Sequence, residues 1–189
     1  MKPRRIARVR ALQALYSRFL QEKSGAVGSG FAGASGGLGA GGDRSGSTGL
    51  SAPSRLLEDL RLHYPRGNEK APAWTAEDME GVEDETLTAR LVTGVVQHFA
   101  AIDALIRQAA QNWRPERMDV VDLCLIQIGA YELAYCADIP AAVSINEAVE
   151  LARRYGSAHS GSFVNGVLDR IRHNLTVRSA ESGESPENV

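Results

Sequence analysis

The sequence of 189 residues predicts an all-α bundle of about six or seven helices. Three observations predict it. Apolar residues recur at three- and four-residue spacing in almost every segment able to fold. No segment alternates with the period of two that a half-buried strand needs. Proline, glycine and capping side chains fall between the periodic segments.

The first helix is expected from about Arg4 to Lys23, with Val9, Leu12, Tyr16 and Phe19 on one face and Leu15 and Leu20 beside them. Ser24 to Ser54 reads as a flexible insertion. Residues 25–49 hold eleven of the nineteen glycines, mixed with Ser and Ala, and bury too little apolar surface to offset the entropy of ordering. Its glycines lack the spacing of a phosphate loop. A short helix, Ser54 to His63, carries Leu56, Leu57 and Leu60 and stops before Pro65. Thr75 is placed to cap the next helix, with acids in its first turn and Trp74 stapled onto Met79.

Leu87, Leu91, Val95 and Phe99 form one stripe; Ile102, Leu105, Ile106, Ala109 and Trp113 form another. The pattern leaves open whether these are two helices or one bent helix. Pro115 interrupts it. Asp119 to Ala134 is apolar on nearly every side of the helical wheel, which belongs in the middle of a bundle. After Asp138-Ile139-Pro140, Ser144 and Glu147 have capping-box spacing, and Gly156 can close that helix in the left-handed conformation. A last helix is expected over about Gly161 to His173, with a polar tail from Ser179 to Val189. Without insertion and tail, about 140 residues remain, one ordinary domain.

Composition excludes several classes. Hydrophobic residues make up 43% and charged residues 23%, as in ordinary globular proteins. No stretch approaches the ~18 consecutive apolar residues of a membrane span, and Arg8, Arg10 and Arg18 interrupt any secretory core, so a cytoplasmic protein is expected. Cys124 and Cys136 are too few and too far apart for a disulfide scaffold or a C-x-x-C site, and Cys124 reads as core. His63, His98, His159 and His173 lack metal-ligand spacing. Acidic pairs such as Asp119 with Asp122 sit at helix starts, where the dipole favours them without catalysis. No catalytic, metal or cofactor constellation is expected, and the protein is read as non-enzymatic.

The formal net charge of -2 conceals an asymmetry. Lys2 to Lys23 carries seven basic residues against Glu22 alone; Glu69 to Arg90 carries seven acids against two bases. Lys2, Arg4, Arg5 and Arg8 gather at the N-terminal turn of the first helix, where the macrodipole disfavours cations. Helix stability therefore does not explain them. Guanidinium forks suit phosphate, and single-stranded RNA is read by stacking and base-edge hydrogen bonds, which Gln13 and Tyr16 on the same helix can supply. The competing readings are a solvated charged helix end and, for Tyr16, a ring packed on the apolar stripe.

Three segments then resemble one family. Arg4 to Tyr16, R-R-I-A-R-V-R-A-L-Q-A-L-Y, resembles the N-terminal signature of the NusB transcription antitermination factors. Asp122 to Leu133, ending I-G-A-Y-E-L, resembles that family's buried central helix, and Pro140 to Ile171, with V-S-I-N-E-A-V-E-L-A-R-R-Y-G and F-V-N-G-V-L-D-R-I, is similar to its C-terminal signature. The resemblance implies two packed helical subdomains over residues 1–178. It implies binding of boxA RNA in ribosomal RNA leader transcripts together with NusE, a small-subunit ribosomal protein, within an RNA polymerase complex containing other Nus factors. Lys2 belongs to the same basic cluster, while Arg4, Arg5, Arg8, Gln13 and Tyr16 match the family's RNA-facing first helix. Phe163 matches a second RNA contact region, and Asp122 an acidic position near the NusE face.

Val9, Gln127 and His159 depart from the family pattern, which often has Glu, Arg and an acid there; fewer acids near RNA imply tighter and less selective binding. Asn165 and Gly166 also admit a packing role, with Gly166 admitting a neighbouring helix. Replacing Arg5 and Arg8 together by Ala is expected to weaken RNA binding and leave the helical circular-dichroism signal unchanged. NusB-like domains also open certain ribosomal RNA cytosine methyltransferases; the end at Val189 is expected to leave no room for such an enzyme. A protein-only scaffold, docking an acidic partner on the basic helix, is the remaining alternative.

Overall fold

Proline at the first helical position is well tolerated, because its missing N–H would have no intrahelical partner there. The first helix accordingly opens at Pro3. A computed structural model describes residues 2–23, 84–110 and 118–182. Among the described residues there are six helices and no strand: α1 (Pro3–Lys23), α2 (Glu85–Gln97), α3 (Phe99–Ala109), α4 (Val120–Tyr135), α5 (Ala141–Tyr155) and α6 (Ser160–Ser182). The insertion, the expected helix Ser54–His63, the Trp74–Thr75–Met79 start, Trp113, Pro115 and residues 183–189 lie outside the described residues.

The helix with apolar residues on every side is the central one. α4 packs against all five of the others, and Leu125, Ile126 and Ala130 are fully buried. Each such Leu or Ile side chain contributes about 1.5–3 kcal/mol relative to exposure. Asp119 caps α4, its Oδ1 accepting from Val121 N at 2.9 Å. Two glycines let neighbours come close. A Cβ at Gly129 would press into Leu168 of α6, and one at Gly94 of α2 would overlap the Tyr131 ring of α4.

The two stripes between residues 87 and 109 are separate helices. α2 and α3 meet at His98 with a bend of 78°. Phe99, placed on the first stripe by the sequence, opens α3 beyond that bend and is exposed. No single described helix is long and apolar enough to cross a membrane; the bent pair α2–α3 meets the test by length and composition alone.

Four local expectations fail for identifiable reasons. α5 starts at Ala141, three residues before Ser144, because Pro140 already sets the entry and its carbonyl accepts from Val143 and Ser144 N. Ser144 is therefore buried inside the helix, and no capping box forms with Glu147. Gly156 ends α5 in an extended conformation (φ -96°, ψ -164°), not a left-handed one. Its lack of a side chain matters for space instead, since a Cβ there would run into Ser160, whose Oγ accepts from Ser157 N at 2.8 Å. Gly166 is exposed, and among the described residues nothing stands where a Cβ would lie, so no described helix makes a close approach there. Finally, α6 runs to Ser182, which makes residues 179–182 helical rather than tail.

Candidate nucleic-acid interface

An arginine at every fourth position on one face can meet very different surroundings, depending on what packs beside each turn. Lys2 and Arg4 are exposed at the start of α1, and Arg5 is half-buried. Arg4 Nη2 lies 3.5 Å from Asp138 Oδ2, with both side chains about half exposed. Arg5 holds Glu147 of α5 through two hydrogen bonds, Nε to Oε2 and Nη2 to Oε1, each 2.7 Å. That fork pulls the Glu147 carboxyl below its ordinary range and raises the Arg5 guanidinium above its own.

Arg8 lies inside. Its side chain is 3% exposed and pairs with Glu132 of α4, itself 1% exposed. Nε donates to Oε1 at 2.9 Å and Nη2 to Oε2 at 3.2 Å, while Nη1 donates to the Arg4 carbonyl at 3.1 Å. The expectation that Arg8 faces a ligand does not hold in this structure. The central helix carries an acid there, and a buried carboxylate requires a cation. Arg8→Ala would leave the Glu132 carboxylate buried without its cation, so a loss of RNA binding in a variant carrying it cannot be read apart from a loss of stability.

Gln13 and Tyr16 are buried as well, at 6% and 7% exposure. Gln13 Oε1 accepts from Arg10 Nη1 at 3.4 Å. Burial, followed by the Asp119 charge, pushes the Tyr16 phenol above its ordinary value. The packed reading of Tyr16 is the one realised. Val9 is fully buried, so its departure from the family pattern places no group in front of RNA. Gln127 is half-buried and His159 exposed.

On the other side, Phe163 opens the first turn of α6 and rests half-buried on the core. Asp122, expected near a partner protein, is 6% exposed. Its Oδ1 makes no hydrogen bond, and burial raises its carboxyl above the usual range, opposed by Ser160. Little of that carboxylate is presented to a partner.

The sequence reading missed the acids that organise the arginines: Glu132, Asp138 and Glu147. One signal was available. Glu132 is a lone late acid in a helix otherwise apolar all round, and a buried charge needs a partner. Nothing local marked Asp138 or Glu147, whose partners on α1 are more than 130 residues away in sequence. Enzyme chemistry gains no support. Burial pushes the Cys124 and Cys136 thiols up to about 12 and about 11, far from reactive thiolates. Among the described residues, no group of three or more His, Cys, Asp or Glu could hold a metal ion.

The profile of the NusB family matches residues 66–173. The transcription antitermination protein NusB of Sorangium cellulosum is 52% identical over 133 residues, covering 68% of this chain and 92% of the relative. That of Desulfovibrio desulfuricans is 37% identical over 142 residues, covering 75% and 86%. Among solved structures, T. maritima NusB superposes with a TM-score of 0.59 at 26% identity over 92% of each chain. NusB in the crystal structure of NusB and NusE with double-stranded RNA gives 0.60 at 19% identity, covering 92% of this chain and 98% of that one, a likeness of fold. With more than half of its length inside the family profile, and relatives matched over most of theirs, the chain belongs to the NusB family.

Proposed function

We propose that this chain is a non-enzymatic transcription antitermination factor. It binds single-stranded boxA-type RNA of ribosomal RNA leaders together with NusE, in the cytoplasm, and suppresses premature termination by RNA polymerase. The observation that carries the reading is the solvent-accessible cation set at the start of α1, Lys2, Arg4 and Arg5, where the helix dipole gives cations no reason to be.

Lys2, Arg4 and Arg5 hold RNA phosphates. Glu147 occupies one edge of the Arg5 fork, and Arg5 Nη1 remains to face a phosphate. Arg8, Gln13 and Tyr16 act from inside: Arg8 ties α1 to α4 through Glu132 and so sets where the outer cations stand, while Gln13 and Tyr16 lie buried on the same helix. Phe163 adds an aromatic edge at the start of α6 for base stacking. With Asp122 buried, the NusE contact is left without an assigned residue.

The test is a filter-binding titration with boxA RNA, a scrambled RNA and a duplex, each with and without NusE. The reading predicts preference for single-stranded boxA and a gain when NusE is added. Equal, weak binding of all three RNAs would overturn it. Binding to NusE with no gain from RNA would favour a protein-only scaffold.

A further inference from the structure

Beyond the first turn of α1, a second group of side chains has the composition of a single-stranded nucleic-acid site. Asp138, in the loop between α4 and α5, is bridged by two arginines from separate helices. Its Oδ1 lies 2.8 Å from Arg90 Nη2 of α2, and its Oδ2 lies 3.5 Å from Arg4 Nη2 of α1. The side chains of Arg4, Arg90 and Asp138 are 50%, 36% and 49% exposed. Two guanidiniums on one carboxylate leave the group net positive. Exposed ion pairs of this kind contribute little to stability, so the fold does not require the convergence.

Beside it stands an aromatic stack. Tyr135, in the last turn of α4, is 40% exposed. Its ring stacks on His98, centroids 4.0 Å apart, and lies 5.5 Å from Tyr131. Tyr131 is buried, pressed on the backbone of Gly94, where any side chain would meet it. The stack is thus built from a rigid inner ring outward to a wet one. Arg90 joins the two parts, its Nη2 donating to the Tyr135 carbonyl at 3.5 Å. Cations that track a backbone, next to rings that accept bases, are what sequence-tolerant binding of a single strand uses.

We propose that the RNA track continues from Arg4 across Asp138 to Arg90 and Tyr135, with Arg90 taking a phosphate and Tyr135 stacking a base. This rests on the RNA-binding reading above. Asp138 holds the two guanidiniums together in the free protein and yields one of them to the strand. Because stacking accepts any base, this extension adds affinity without selecting a sequence.

The experiment is fluorescence anisotropy with labelled boxA RNA and a scrambled RNA of equal length, across a salt series. The wild type is compared with Tyr135→Ala, Tyr135→Phe and Arg90→Gln, each checked by thermal melting. Tyr135→Ala should weaken both RNAs about fivefold or more and leave their ratio unchanged. Tyr135→Phe, which keeps the ring, should bind as wild type. Arg90→Gln should lower the salt slope by about 0.7, one phosphate on a single strand. A 4-thiouridine RNA should photocross-link to the peptide containing Tyr135. If wild type prefers boxA and all three variants match it, the track ends at α1 and the RNA-binding reading stands. If wild type binds neither RNA, both fail. If Tyr135→Ala loses NusE and keeps RNA, the patch is a protein interface and the extension is wrong.

Discussion

Arg4 and Arg8 stand one turn apart on the same helix face, yet one is half in water and the other is sealed in the core. The difference comes from what lies beneath. Arg8 meets Glu132 of the central helix, where neither charge can be solvated; Arg4 meets Asp138 on an exposed loop. A run of arginines that looks uniform in sequence is thus divided into an internal strut and an external contact by acids far away along the chain.

The strut should be the costliest to break. Arg8→Ala strands a buried carboxylate and is expected to cost about 3–5 kcal/mol, a fall in melting temperature of roughly 6–20 °C. Replacing both partners at once, Arg8→Met with Glu132→Leu, should recover most of that loss, since two apolar groups need no solvation. Thermal melts of the single and double variants check both. A cheap Arg8→Ala would erase the contrast.

Acid titration sharpens it. Arg5 depresses the Glu147 carboxyl, so its contribution to stability is present above the ordinary glutamate range and lost as pH falls through the folded value. Asp122 is raised by burial, which has the opposite sign: its charge costs stability at neutral pH, and the cost disappears as acid protonates it. Asp122→Asn should therefore raise denaturant stability at pH 7, with the gain shrinking toward pH 4. Glu147→Gln should lower stability at pH 7 and remove part of the acid limb. Urea midpoints measured across that range separate the two groups.

Smaller effects belong to the surface. Gly166→Ala fills open space on an exposed helix and should add about 0.5–1 kcal/mol, read as a higher melting temperature. A loss would mean that the position is not the open helical site seen here. Arg4→Ala should change stability by no more than about 1 kcal/mol, in contrast to Arg8→Ala.

The fold was largely legible because helical periodicity is a local signal. The all-round apolar pattern of residues 120–134 placed α4 at the centre, as observed, and Cys124 in the core. Local signals misled where neighbours decide. Ser144 and Glu147 have capping spacing, but Pro140 starts the helix earlier and Arg5 takes the glutamate. The candidate site was half legible. Charge density drew attention to Lys2, Arg4 and Arg5, which reach solvent, but periodicity could not say that Arg8 and Gln13 turn inward, because the Glu132 that holds Arg8 lies 124 residues further along the chain.

The most direct test of the central claim is the salt dependence of boxA RNA affinity for the wild type and for Arg4→Ala with Arg5→Ala, a pair that spares the Arg8–Glu132 strut. Loss of two phosphate contacts should lower the slope of log K against log salt by about 1.4 and weaken binding at low salt, with the protein still folded and its melting temperature lowered about as much as Glu147→Gln lowers it, since both break the same pair. An unchanged slope and affinity in a folded double variant would contradict the account.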